Sequence, residues 1–166
     1  LAWTLKAMTD SLGSKEFVEE FVGGLAGSLV SLLPAVVFLI GCVIAFATGT
    51  SWGTFGILIP IVVSVFSNDK EMMVIAMSAC MAGAVCGDHC SPISDTTIMA
   101  SAGAQSNHIN HVNTQLPYAM TVAAVSFVAY IIAGFARNIF IALPIAFGMM
   151  IAVLAVLVKI YGKESE

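Results

Sequence analysis

Residues 25–47 carry no charged side chain and stay apolar long enough to cross a bilayer, because ~20 residues at ~1.5 Å rise cover the ~30 Å hydrocarbon core. Further uncharged apolar runs follow at 55–66, 72–86, 117–136 and 139–158. Charged residues make up only 10% of the chain and mean hydropathy is +0.99, whereas water-soluble domains carry about 25% charged residues. The sequence therefore predicts an integral, all-α membrane protein, a polytopic helical bundle, and argues against an ordinary globular enzyme. A net charge of −4, with six Lys and Arg scattered singly, excludes nucleic acid as a partner, since phosphate neutralisation needs clustered cations. The expected partner is membrane lipid. Position 1 is Leu and no signal-peptide pattern follows, so the chain reads as a fragment of a longer protein.

The punctuation along the chain sets the expected organisation. Residues 1–24 form a lead-in with an interfacial helix near 14–22, in which Ser14 caps and Phe17 and Phe21 share a face. Residues 25–66 read as a re-entrant hairpin, kinked at Pro34, with its tip at 48–54, because 55–66 is too short to span. Residues 72–104 read as one transmembrane helix broken at 87–95, and 105–116 as an aqueous loop. Two ordinary spans follow at 117–136 and 139–158, with Pro117 at a helix start and Arg137 and Asn138 at the turn; 159–166 close the chain as a polar tail.

Polar, non-helical backbone at membrane depth is tolerated only where it is buried in protein or lines a water-filled cavity, so each interruption points to a site. The tip offers Thr48, Thr50, Ser51 and Thr54 with Gly49 and Gly53; the break offers Asp88, His89, Ser91, Ser94, Asp95, Thr96 and Thr97. Hard oxygen donors suit sodium or a proton better than a soft metal. Asp88 and Asp95 are the only acids between Glu71 and Glu164, and intramembrane acids are costly enough to indicate function. Pro92 disfavours helix at Ser91, which leaves Asp88 at the C-terminal end of one half-helix and Asp95 or Ser94 to cap the next. Paired hairpins and broken helices are the plan of secondary transporters built from inverted repeats. This chain then supplies one half, and an upstream half of the same transporter is its partner.

Other uses of the same residues compete. Cys86, Asp88, His89 and Cys90 offer zinc ligands within five positions, yet the spacing matches no closed tetrahedral pattern. His108 and His111 share a metal, sense pH, or are simply solvated. The four cysteines, Cys42, Cys80, Cys86 and Cys90, fit small buried hydrophobes rather than a disulfide framework. Ala79, Gly83 and Gly87, at four-residue intervals, form a small-residue stripe for close helix approach.

The blocks TGTSWGT at 48–54, GDHCSPISDTT at 87–97 and HxxHVxTQLPYA at 108–119 resemble, in order and spacing, the NhaC-type sodium/proton antiporter family of the ion-transporter superfamily. The likeness covers essentially the whole chain and corresponds to the C-terminal part of a longer protein. It implies that a hairpin tip and a broken helix from each repeat build the ion site. Position by position it implies Thr48, Thr50 and Ser51 at the tip and Asp88, Ser91, Ser94, Asp95 and Thr96 at the broken helix as cation- and proton-binding residues. Asn107 and Asn110 depart from the family pattern, which commonly has acids beside these histidines.

The expected function is sodium/proton antiport across the cytoplasmic membrane by alternating access. Sodium and protons are the transported species, no cofactor and no metal beyond sodium is required, and homo-oligomerisation is left open. The alternative within transport is a sodium- or proton-coupled organic acid exchanger. The absence of Lys and Arg between Lys70 and Arg137 weighs against a carboxylate substrate. The alternative from another class is a membrane-embedded metal-dependent hydrolase using Asp88, His89 and Asp95.

Overall fold

A computed structural model describes residues 27–161 together with residues 4, 7, 8, 11–13 and 20. The interfacial helix expected near 14–22 and most of the lead-in lie outside the described residues. The described elements are α1 (Gly27–Val30), α2 (Leu33–Thr48), α3 (Ser51–Val65), α4 (Lys70–Cys90), α5 (Asp95–Gly103), α6 (His108–Ala136) and α7 (Ile139–Tyr161). Among the described residues there is no strand, as expected for an all-helical protein.

Pro34 does not kink a continuous span. It stands in the first turn of α2, where its missing N–H is one the helix leaves unbonded in any case. The tip expected at 48–54 contracts to two residues. Gly49 ends α2 with φ +66° and its N–H bonds the Ala45 carbonyl, and Thr50, extended, accepts from Gly53 N–H at 3.3 Å and so caps α3. A C-cap glycine next to an N-cap threonine lets one helix begin where the other stops.

α4 starts at an Asp69 cap, whose Oδ1 accepts from Met72 N–H at 3.1 Å. It then packs along α2 through its small residues. Ala76, Ala79, Cys80 and Ala84 are fully buried. A Cβ added at Gly83 would run into the Phe38 carbonyl oxygen, and one at Gly87 into the Cys42 carbonyl oxygen. Backbone meets backbone here because glycine permits it. On the other side α3 closes a core of Val62, Phe66, Met72 and Ala76. α6 crosses both, with Gly134 against the Ser31 carbonyl and the Phe38 and Tyr130 rings 5.4 Å apart.

Among the described residues α4, α6 and α7 are long and apolar enough to cross a membrane. α2 and α3, with 16 and 15 residues, are about 24 and about 22 Å long at the usual helical rise. No described residue of α7 is buried. Arg137 pairs with Asp69 at 2.9 Å, so the α3–α4 loop and the α6–α7 turn share one end of the bundle. The loop expected at 105–116 is much shorter. α6 begins at His108, because Asn107 accepts from Asn110 N–H at 3.1 Å and caps it, and Pro117 lies inside the helix rather than at its start. α7 likewise continues to Tyr161, past the expected end at 158.

Candidate functional site

The break occupies residues 91–94, later and shorter than the expected 87–95, because α4 continues to Cys90. Pro92 holds Ser91 extended (φ −71°, ψ 129°). Fully buried Ser91 donates its hydroxyl proton to the Phe46 carbonyl at 2.7 Å and accepts from Ile93 N–H at 3.3 Å. A Cβ at Gly49 would stand 2.9 Å from the Ile93 carbonyl oxygen. The end of α2 and the break therefore touch through backbone, and the left-handed conformation at Gly49 already favours glycine.

Asp88 lies in the last turn of α4 rather than in the break, and is 5% exposed. Its Oδ1 accepts from Ser94 Oγ at 2.7 Å, and Ser94 Oγ lies 2.6 Å from Thr96 Oγ1. Since the Ser94 proton goes to the carboxylate, Thr96 must donate to Ser94. The hydroxyls thus form a directed chain from exposed Thr96 through buried Ser94 to Asp88. Among the described residues no Lys or Arg pairs with Asp88.

Of the two acids expected at membrane depth, only Asp88 is buried. Asp95 is exposed, and its Oδ1 accepts from the adjacent Thr96 N–H at 2.8 Å. Ser94 occupies the cap position of α5 but makes no capping bond with its side chain, because its hydroxyl is committed to Asp88. At the tip, Thr48 donates back to the Ile44 carbonyl at 2.8 Å, Thr50 caps α3, and Ser51 is half-buried in the first turn of α3. Among the described residues, Asp88, Ser91, Ser94 and Thr96 come together at the break, while Thr48, Thr50 and Ser51 make no hydrogen bond to it.

The other side of the break is held by residues the sequence reading treated as loop. His108 Nε2 lies 2.7 Å from the Pro92 carbonyl, and its Nδ1 lies 3.1 Å from Ser101 Oγ. Gln115 Nε2 donates to the His89 carbonyl, as does Thr97 Oγ1 at 3.2 Å. Gln115 and Ser101 were missed. The signal for Gln115 was its seven-residue interval from His108, two helical turns on one face, visible only once the stretch is read as helix.

Among the described residues no group of three or more His, Cys, Asp or Glu is placed to hold a metal. Cys86 and Cys90 lie together, but His89 is exposed and its Nδ1 faces the Val85 carbonyl at 3.1 Å. The four cysteines are free. What the break presents instead is a carboxylate, hydroxyls and a peptide carbonyl, the donor set of a small hard cation.

Over 135 residues, 81% of this chain, the sequence is 48% identical to an "uncharacterized protein" of Haemophilus influenzae, covering 26% of that protein. It is 27% identical over 105 residues to a malate-2H(+)/Na(+)-lactate antiporter of Bacillus subtilis, covering 63% of this chain and 22% of that one. It is 33% identical over 96 residues to the arginine/ornithine antiporter ArcD of Halobacterium salinarum, covering 58% and 20%. The chain thus spans about a quarter or less of the length of these relatives. No solved structure matches. The sequence model of the Na+/H+ antiporter family matches residues 1–135, from the start of the chain through tip and break and most of α6. With its apolar helices and its oxygen-lined break, the chain belongs to the Na+/H+ antiporter family.

Proposed function

We propose that this chain is part of a secondary antiporter that exchanges sodium for protons across the cytoplasmic membrane by alternating access. Asp88 is the carboxylate that binds the two in turn. The observation that carries this reading is the burial of Asp88 at the C-terminal end of α4, without a cationic partner among the described residues. A helix C-terminus bears partial negative charge, so it opposes a lone carboxylate and favours one that holds a proton or a cation. The chain of hydroxyls from Thr96 through Ser94 gives that carboxylate a polar connection to the surface.

On this reading α2 and α3, each shorter than a span, form a re-entrant hairpin whose tip faces the break. Thr48, Thr50, Ser51 and Asp95 then complete the site as the transporter moves. An upstream half, related as an inverted repeat, supplies a second tip and break, which fits a chain spanning about a quarter of its relatives. Organic substrates are the second reading, favoured by the names of two relatives. The lack of Lys and Arg between Lys70 and Arg137 supports the small-ion reading.

Full-length protein in vesicles with an internal pH dye tests this. A sodium pulse should move protons in the wild type and not in Asp88→Asn. Exchange driven only by malate, lactate or arginine gradients would establish the second reading, and an unchanged sodium response in Asp88→Asn would remove Asp88 from its role.

A further inference from the structure

We propose that the first turns of α6 strap the helix break, with His108 and Gln115 as positioning residues, and that a proton taken up by His108 tightens the strap. The proposal rests on the antiporter reading for its effect on transport, but not for the strap itself.

The contacts are two and independent. The last four carbonyls of a helix have no partner within it, and Gln115 Nε2 donates to one of these at His89. Two turns earlier on the same face, His108 reaches the Pro92 carbonyl in the middle of the break. Pro92 sits between Ser91, which holds the end of α2, and Ser94, which holds Asp88. Whatever moves Pro92 moves both. Neither His108 nor Gln115 touches the carboxylate.

Counting protons shows why His108 is sensitive. A carbonyl only accepts, so Nε2 carries a proton for its bond to Pro92. Ser101 Oγ lies 2.9 Å from the Ile98 carbonyl, another pure acceptor, and 3.1 Å from His108 Nδ1. One hydroxyl proton cannot serve both. With that proton on Ile98, Nδ1 must also be protonated and the ring is an imidazolium. With a neutral ring, Ser101 turns its proton to Nδ1 and releases Ile98. All three bonds coexist only in the charged form, in which the bond to Pro92 is also charge-assisted.

The break has no ionisable side chain, and the one in α5 is Asp95, bonded to Thr96 N–H. The last turn of α4 carries Asp88, bonded to Ser94, with exposed His89 and buried Cys90. α6 adds His111 one turn on, and no Lys or Arg lies on these elements near the break.

His108→Gln tests the idea, since the amide still donates to Pro92 but cannot gain charge. In full-length protein, amide hydrogen exchange at residues 91, 93 and 94 is followed from pH 8 to 6 and corrected for intrinsic rates. Wild-type protection should rise on the acid side, and that of His108→Gln should stay flat. In vesicles, His108→Gln should lose the acid-side inflection of the sodium-driven rate while its alkaline rate stays within about twofold of wild type. Gln115→Ala should loosen the amides equally at every pH without moving the profile. Should His108→Gln fold poorly, His108→Asn reads the same two quantities. Wild-type pH dependence of protection in the folded variant overturns the strap. If wild-type vesicles show no sodium–proton exchange while protection still follows His108, the antiporter reading fails and the strap stands.

Discussion

Ser91 gives its hydroxyl proton to the carbonyl oxygen of Phe46, 2.7 Å away and 45 positions earlier in the chain. This one bond joins the last turn of α2 to the first residue after α4. Ser91→Ala should leave that carbonyl unbonded and cost about 1 kcal/mol of stability. It should also weaken apparent sodium affinity, because Ile93 N–H loses its acceptor at the same time. Melting in detergent and sodium titration in vesicles check the two effects, and Ser91→Thr should restore both.

The hydroxyl chain into Asp88 makes a second prediction. Ser94→Ala removes the donor to Oδ1 and the link to Thr96, so sodium affinity should fall by about tenfold, roughly the effect of one charge-assisted hydrogen bond. The hydrogen bond of Asp95 in this structure, from Thr96 N–H, lies within α5. Asp95→Ala should cost about 0.3–1 kcal/mol through the lost charge at the helix start, while Asp88→Asn melts like the wild type. Equal destabilisation by both would show that Asp95 is held as tightly as Asp88.

Gly83 has the Phe38 backbone directly against it, whereas a Cβ at Gly148 in α7 would meet nothing within 4 Å. Gly83→Leu should therefore lower the folded yield through overpacking, by about 1–3 kcal/mol or more. Gly148→Ala should not. Size-exclusion profiles of both variants decide it, and a well-folded, active Gly83→Leu would place that face toward lipid.

The Arg137–Asp69 pair sets a topological expectation. Positive-inside bias predicts that the end carrying Lys70 and Arg137 faces the cytoplasm, with Lys159 at the opposite end of α7. Single cysteines at Asn68 and Asn110 in a cysteine-free background should then label from opposite sides. Labelling of both from one side would contradict the arrangement.

The apolar runs, the site of the break and the small-residue stripe were legible because each depends on local chemistry. Pro92 restricts Ser91 whatever surrounds it, and glycines at four-residue intervals fall on one face of any helix. The stretch 108–116 was misread because its polar composition resembles a loop. In the structure Asn107 caps it, and His108 and Gln115 spend their polarity on carbonyls at the break. No local rule predicts partners that are supplied by a chain break more than fifteen residues away. The half-helix ends of Asp88 and Asp95 could be told apart from Pro92, but the exposure of Asp95 could not, since a motif gives residue types and spacing but not which side of a helix faces the core.

A seam made of backbone has no rotamers. Where α4 meets α2 at Gly83 and Gly87, docking freezes almost no side-chain freedom, so the entropy lost on closing the seam is small. The same contact has no long side chain to swing aside and let one helix slip past the other. The two helices and the site at their ends are thus bound to travel as one stiff piece. Any movement that turns Asp88 from one side of the membrane to the other must be absorbed elsewhere, at joints such as residues 105–107 and the Arg137 turn.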